Sequence, residues 1–588
     1  MDLRALRRSL SEELPEHLVP AHLVAVDAFP LNANGKLDRA RLPDPAELPG
    51  PARHPVAPRD GLERELVELC RAVLGDGTVG PLDDLYDLGV DSLTAGTLAE
   101  RIGAAHAGGV RASDVLRAGT VAELARLIRG QREPAAPAPA PVDPAAGAPR
   151  RATARHPVSP QQRRLFVEQG KDERSVRYNV PLVVELGPEV DAERLRAAFA
   201  CLSERHEILR TDFAHEGELV QRVRAAGRVR LELRDGAPVL DELVRPFDLG
   251  AAPLMRATLH RDGDRRWLFV DLHHIVTDGR SLAIMFGELD RLYAGESLPA
   301  PAHQYRDYAA WLGTAAGAAL RERQGPYWRR LLAPPLPVAD LPTDRPRPAA
   351  RSARGAVVPV DAGPRRSASL RALAGRHGVT VFSALAAAYA CVLAAVTGAG
   401  DVTFGVPVSG RTRPGLDAAV GMFVNTVCLR VRPGRDMRFA DLLEEVARTT
   451  QDALAHQDHP FDELVEDLGA RRGPGRTPLF DTMLAVHAAP LLDVRFLGRR
   501  VRLEPRFTGE AMFDLNLQLY DAADGIRGEW QYATDLFDAP TVRTFRTAFL
   551  RIVDRVIEDP TQTVAELADG VAARPRPAVA LPALEFDL

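Results

Sequence analysis

Residues Trp267 to Tyr293 read WLFVDLHHIVTDGRSLAIMFGELDRLY. The opening WLFVDL is apolar and β-rich, which predicts a strand, and from Ser281 to Tyr293 the apolar residues recur at helical spacing. HHIVTDG therefore stands at a strand-to-helix turn, a place where chains commonly present reacting groups. Two isolated histidines are more often a structural pair than a reacting one. The Asp278-Gly279 that follows shifts the balance toward chemistry.

Composition bounds what that chemistry can be. The chain has 588 residues, room for about three or four domains at roughly 150 residues each. With 46% hydrophobic and 26% charged residues it is ordinary globular protein. A formal net charge of -5 and a pI near 6.3 leave no basic surplus for neutralising phosphates, so nucleic acid is excluded as a general partner. No apolar run is long enough to span a bilayer, and the first residues, MDLRALRRSLSEEL, lack the apolar core of a signal peptide. The expectation is a cytoplasmic protein with no membrane partner. Cys70, Cys201, Cys391 and Cys428 have no metal-ligand spacing, so they are expected to be small buried apolar groups, with no metal site and no disulfide framework.

Pro-rich stretches mark the domains. EPAAPAPAPVDPAAGAP, Glu133 to Pro149, has almost no large apolar residue and reads as a semi-extended linker. A second such stretch runs from Leu42 to Asp60, and a third, Ala333 to Pro348, divides the long remainder into halves. The expected organisation is a fragment at 1–50, a small helical unit at 58–131, a linker at 132–155, a large domain at 156–570 with lobes of about 156–340 and 350–570, and a tail at 571–588.

Short strings within the large domain follow one another in a telling order. VSPQQRRLFVEQ (Val158 to Gln169), RHEILRTDF (Arg205 to Phe213), HHIVTDG, YRDYAAW (Tyr305 to Trp311), VGMFVNTVCLR (Val420 to Arg430), HQDHPFDELVEDL (His456 to Leu468) and GRTPLFDTML (Gly475 to Leu484) resemble, in family order, the motifs of condensation domains in nonribosomal peptide synthetases. Gln161 and Phe166 replace the more usual Ala and Trp of the first. The resemblance implies a multidomain α/β chain whose large domain has two chloramphenicol-acetyltransferase-like lobes making a V, with His274 in the cleft. It also implies acyl transfer from a thioester. That substrate is already activated, so catalysis needs a neutral amine held near the carbonyl and a stabilised oxyanion.

Roles follow from this chemistry and this family. Imidazole titrates near neutral pH, so His274 is the candidate to accept the amine proton or orient the amine. The backbone N–H of Gly279 is unobstructed by a side chain and is the candidate oxyanion donor. His273 is expected to support by hydrogen bonding. The family implies that Asp278 points away from the substrate and pairs with Arg411 in VPVSGRTRP, bracing the turn. Asn425, in FVNT, is expected to line the channel between the halves, and Tyr305, Tyr308 and Trp311 to be packing groups.

The flanking units carry their own signals. Between the helical patterns of GLERELVELCRAVLG (Gly61 to Gly75) and AELARLI (Ala122 to Ile128) lies LGVDSL, where Ser92 reads either as an N-cap or as an attachment point. The local LGxDSL resembles the prosthetic-group site of acyl and peptidyl carrier proteins, four-helix bundles in which 4'-phosphopantetheine is covalently joined to a serine matching Ser92. Val90 stands where peptidyl carriers often have glycine. FPLNANGKLDRARLP, Phe29 to Pro43, resembles the last motif of adenylation domains through Lys36, but no glycine-rich phosphate loop accompanies it. The 1–50 fragment is therefore read as an adenylation remnant without activity of its own.

These resemblances imply partners: a phosphopantetheinyl transferase, an adenylating enzyme upstream or in trans, and a downstream synthetase carrier presenting the acceptor. The tail RPRPAVALPALEFDL, Arg574 to Leu588, resembles short docking segments that bind a partner. Epimerisation, ester-forming release and noncatalytic recruitment are the rival functions. No segment resembles the epimerase EGHGRE motif, and an intact HHIVTDG speaks against a scaffold.

Overall fold

The computed structural model describes residues 58–74, scattered residues of 79–130, and residues 153–571 apart from breaks at 226–227, 338–339, 414, 471–474, 489–492 and 523. Two compact units divide near residue 140. Lys36 with the adenylation-like fragment, Ser92, the linker as far as residue 152, and the tail from 572 lie outside the described residues.

In the first unit, helices α1 (Gly61–Leu74) and α2 (Val121–Gly130) pack through Leu66, Val67 and Cys70 against Val121, Leu124, Ala125 and Ile128, with Leu98, Ile102 and Val115 completing the core. Each helix has one apolar stripe, and burying the two against each other is what makes both stable. Glu63 is fully buried, yet it is satisfied: Arg59 Nε donates to it at 2.9 Å, and Arg129 Nη2 from the last turn of α2 stands 3.6 Å away.

The first described strand of the second unit, β1 (Thr153–Pro157), begins inside the stretch expected to be linker. There follow α3 (Pro160–Lys171), β2 (Asn179–Leu186), α4 (Ala192–Arg205), β3 (Thr211–Glu216), β4 (Glu218–Arg224), β5 (Leu231–Asp235), β6 (Met255–Asp262), β7 (Arg265–His273) and α5 (Gly279–Tyr293). The first lobe is built on a four-stranded sheet of order β2-β7-β6-β5, with β1-β4-β3 as a smaller sheet beside it. Alternation along β7 sends Leu268, Val270 and Leu272 into the core with α4 and α5, where Phe199, Leu202, Met285 and Phe286 meet them. The same alternation sends Asp271 and His273 to the opposite face.

Next come α6 (Tyr305–Leu312), α7 (Ala315–Leu331), β8 (Gly355–Asp361), α8 (Gly363–Arg376), α9 (Val381–Thr397), β9 (Val402–Val408), β10 (Asn425–Val431), α10 (Phe439–Ala455), α11 (Phe461–Asp467), β11 (Thr482–Ala488), β12 (Asp493–Phe496), β13 (Arg499–Arg502), β14 (Leu515–Ala522), β15 (Gly525–Ala533) and α12 (Ala539–Glu558). The second lobe is a six-stranded sheet of order β10-β9-β11-β14-β15-β8. Its central helix α9, VFSALAAAYACVLAAVT, is buried on nearly every side, which is why it carries no charge. Thr380 caps its start and left-handed Gly398 ends it. Among the described residues no single helix is long and apolar enough to cross a membrane.

The Pro-rich stretch near 340 divides the sequence and not the cores. Leu416, Ala419, Val420, Met422 and Phe423, with Phe496, Val501 and Leu503, come from the second half of the chain and sit in the hydrophobic core of the first lobe. The lobes are thus stitched by two crossing segments that sequence boundaries cannot reveal. The cysteine expectation also needs one correction: Cys70, Cys391 and Cys428 are buried, but Cys201 on α4 is exposed because it falls on the solvent side of that helix.

Gly421 lies on one crossing segment, where a Cβ would stand 2.0 Å from Cδ2 of the fully buried Tyr305. Gly421→Ala is expected to destabilise the chain by about 1–3 kcal/mol, the cost of overpacking, measured by denaturant unfolding; wild-type stability would show that the seam yields freely.

Candidate functional site

Strand β7 ends at His273, a single 3-10 turn covers His274 to Val276, and α5 begins at Gly279. Asp278 is the N-cap of α5: its Oδ1 accepts from the Ser281 amide at 2.8 Å and from Ser281 Oγ at 2.8 Å. Arg411 closes on the same carboxylate bidentately, Nη1 to Oδ2 at 2.7 Å and Nη2 to Oδ1 at 3.0 Å. The Phe423 amide adds a bond to Oδ2 at 3.0 Å. Arg411 also donates to Ala419 O at 3.1 Å and lies 4.2 Å from the centre of the Phe423 ring. Both charges are almost wholly buried. The pair therefore ties the turn to the crossing segment at 411–423, and none of the carboxylate is left to face a substrate.

His273 is fully buried, and its tautomer follows from its neighbours. The Ile275 amide donates to Nδ1 at 3.1 Å, so the proton of a neutral ring sits on Nε2, facing Gln169 Oε1 at 3.2 Å. Gln169 in turn spends its amide on Ser175 O at 3.0 Å. Burial, with His274 adding, pushes the His273 pKa down to about 3, so this ring is neutral and already committed at both nitrogens.

His274 differs. Its backbone N–H donates to Tyr178 O at 2.7 Å, its ring is half-buried, and Nδ1 is buried without a hydrogen-bond partner. Burial holds its pKa below the usual imidazole range. At neutral pH the ring is uncharged and free to take a proton. Gly279 is exposed at the start of α5, no atom lies within 4 Å of where its Cβ would be, and its amide is one of the unpaired donors of a helix N-terminus. The turn thus carries a neutral imidazole at His274 and an open amide at Gly279, while Asp278 between them in the chain is bolted down by the ion pair.

Asn425 is placed otherwise than expected. Its Nδ2 donates to Gln457 O at 2.8 Å and His459 O at 2.7 Å, while Oδ1 accepts from the Phe461 amide at 3.1 Å. All three bonds are internal, so Asn425 clamps the HQDHPF loop and leaves no polar group for a channel. Tyr305 is likewise a seam group, with its hydroxyl 2.7 Å from Ser159 Oγ and 2.6 Å from Met422 O.

Several neighbours of the turn were not evident in the motifs. Gln169 and Tyr178 hold the two histidines in place, yet neither stands in the histidine motif. Asp271, two residues before His273, is fully buried on the same face of β7; burial raises its pKa to about 7 against hydrogen bonds from Asn179 at 2.8 Å and Arg256 at 3.4 Å. An aspartate inside an otherwise apolar strand was the available signal. No cluster of metal-ligating groups occurs among the described residues.

Comparison with known proteins places both units. The family described as Condensation domain matches residues 153–569, and that described as Phosphopantetheine attachment site matches residues 64–128. Tyrocidine synthase 2 of Brevibacillus parabrevis is 36% identical over 97% of this chain, and bacitracin synthase 3 of Bacillus licheniformis is 33% identical over 96%. The chain spans only 16% and 9% of their lengths. Among solved structures, the X-domain from teicoplanin biosynthesis superposes with a TM-score of 0.63 at 25% identity, covering 71% of this chain and 98% of that one. The first condensation domain of the CDA synthetase, at 23% identity and TM-score 0.60, covers 71% of this chain and 99% of that one and shares the fold.

The ion pair generates a direct test. Asp278→Ala leaves the Arg411 guanidinium buried and unpaired, and is expected to cost about 3–5 kcal/mol of stability, read from denaturant unfolding. Unchanged stability would mean that the carboxylate does not brace the turn.

Proposed function

The chain belongs to the condensation-domain family and carries a phosphopantetheine attachment domain ahead of it; we propose that it forms an amide between an acyl thioester held on its own carrier and an amine presented by a partner. The observation that supports this most is the asymmetry of the two histidines, one spent on both ring nitrogens and the other only partly buried, with Nδ1 unpaired.

The phosphopantetheine arm, joined to Ser92, supplies the activated acyl group as a thioester. His274 orients the amine and accepts its proton. The Gly279 amide donates to the carbonyl oxygen as charge develops there. His273, through Gln169, and Asp278, through Arg411, keep the turn in place, while Asn425 fixes the facing loop. A phosphopantetheinyl transferase installs the arm, an adenylating enzyme supplies the acyl group, and a downstream carrier brings the acceptor, with the tail as docking segment. All of these encounters belong in the cytoplasm.

A rival reading, recruitment of another protein by a noncatalytic copy of this fold, makes no use of a neutral, unpaired His274 or of the unobstructed Gly279 amide. Against epimerisation, no segment resembles the EGHGRE motif, and Asp278, the carboxylate of the histidine motif, is consumed by Arg411.

Intact mass after treatment with a phosphopantetheinyl transferase and coenzyme A is expected to rise by one arm, and Ser92→Ala to stay unmodified; modification of that variant would move the attachment elsewhere. With the arm acylated, His274→Ala is expected to lose about 10²–10⁴-fold in the rate of transfer to an acceptor carrier, while loading on Ser92 persists. Wild-type transfer by His274→Ala would remove the histidine from the chemistry.

A further inference from the structure

Around helix α3, which packs against the histidine turn, stand three polar groups with no role in that acyl transfer. Tyr178, whose carbonyl holds the His274 amide, is 7% exposed, and its hydroxyl has no hydrogen-bond partner among the described residues. Arg164 lies on α3 and Asp462 on α11, and α3 packs against the histidine turn as well as against α11 from the other lobe. The Arg164 guanidinium is 5.4 Å from the centre of the Phe461 ring, next to Asp462 in the chain. Neither Arg164 nor Asp462 makes an ion pair among the described residues. Two of the acids around them have partners of their own, Glu168 with Lys171 at 2.5 Å and Glu463 with Arg321 at 2.9 Å.

The groups share one electrostatic neighbourhood. Asp462 and Arg164 both act on the Tyr178 hydroxyl, and Arg164 also acts on the His274 ring. Burial raises the Asp462 pKa, opposed by Arg164 and reinforced by Glu168, Glu466 and Glu463. A half-buried carboxylate without a partner is held at a cost that an arriving cation relieves. Its position is also rigid, because Asn425 clamps the amide of the preceding Phe461.

The acceptor amine is such a cation, since an α-amino group with a pKa of about 7.7–8 is mostly ammonium at neutral pH. We propose that Asp462 and Tyr178 seat the acceptor, Asp462 receiving its ammonium form and the Tyr178 hydroxyl oxygen accepting an N–H, so that His274 deprotonates a nucleophile already in place. This rests on the amide-forming reading and deepens it. The ammonium proton passes to the neutral His274 ring, and the freed amine attacks the thioester carbon. The C–N bond forms as the C–S bond breaks, the departing thiolate takes the proton back from the imidazolium, and the regenerated neutral His274 ring then takes the second proton from nitrogen and releases it to water, leaving a neutral amide. An alcohol gains nothing from Asp462, so the site selects amide over ester formation.

Calorimetry at pH 7 on the unloaded chain tests this with two probes, the amide analogues of glycyl-pantetheine, which carries an ammonium, and of 4-aminobenzoyl-pantetheine, whose aromatic amine is neutral. Asp462→Asn is expected to weaken the glycyl probe about tenfold, equivalent to about 1.4 kcal/mol, and to leave the aminobenzoyl probe unchanged. Asp462→Glu, which keeps the charge, retains glycyl binding. Equal loss for both probes, no loss for the glycyl probe, or a parent chain that does not prefer the glycyl probe overturns the assignment. If the binding pattern holds but the loaded chain transfers no acyl group, amide formation fails while the amine site stands.

Discussion

The bidentate contact between Asp278 and Arg411 holds the second unit's working parts in register. It joins the residue that caps α5 to a segment that arrives from the other half of the chain, and it does so where water has been removed. A buried ion pair is poor evidence of net stability, because desolvating both charges offsets much of their attraction. Its value here is in what it specifies. The Phe423 and Ser281 amides and the Ser281 hydroxyl converge on the same carboxylate, so the turn, the helix start and the crossing segment share one mutual arrangement that surrounds Asp278 with donors.

That arrangement divides labour between two adjacent histidines. Strand alternation places His273 on the face of β7 opposite Leu268, Val270 and Leu272, where two hydrogen bonds and burial fix both its tautomer and its neutrality. The 3-10 turn that follows rotates His274 out of the strand pattern and leaves one of its nitrogens unpaired. Identical side chains one residue apart thus acquire opposite characters, one a structural dipole and the other an available base. Desolvation serves both ends: it keeps His274 uncharged at neutral pH, and it strengthens any interaction the ring makes in the cleft.

Several features could be read without coordinates because they depend on neighbours in the chain. The strand and helix around HHIVTDG followed from local periodicity, while the role of Asp278 as the N-cap of α5 came only from the structure. The order of seven short motifs was enough to indicate the condensation family, to which residues 153–569 belong. Other features depend on long-range encounters. Asn425 resembles a channel residue in a motif, yet its bonds go to the HQDHPF loop some thirty residues on. The Pro-rich stretch near 340 suggested a clean division between lobes, yet Phe423 and Phe496 lie in the first lobe's core.

Family, reactive turn and the alternation of polar and apolar groups along each element were legible in the chain alone, since periodicity and motif order are properties of sequence. Which polar groups are consumed and which are left over was settled by packing. Asp278 is surrounded by donors, while Tyr178, Arg164 and Asp462 keep unspent hydrogen-bonding or charge capacity beside His274. Satisfaction of a buried polar group is a sum over every atom packed against it, and those atoms come from segments a hundred residues or more apart.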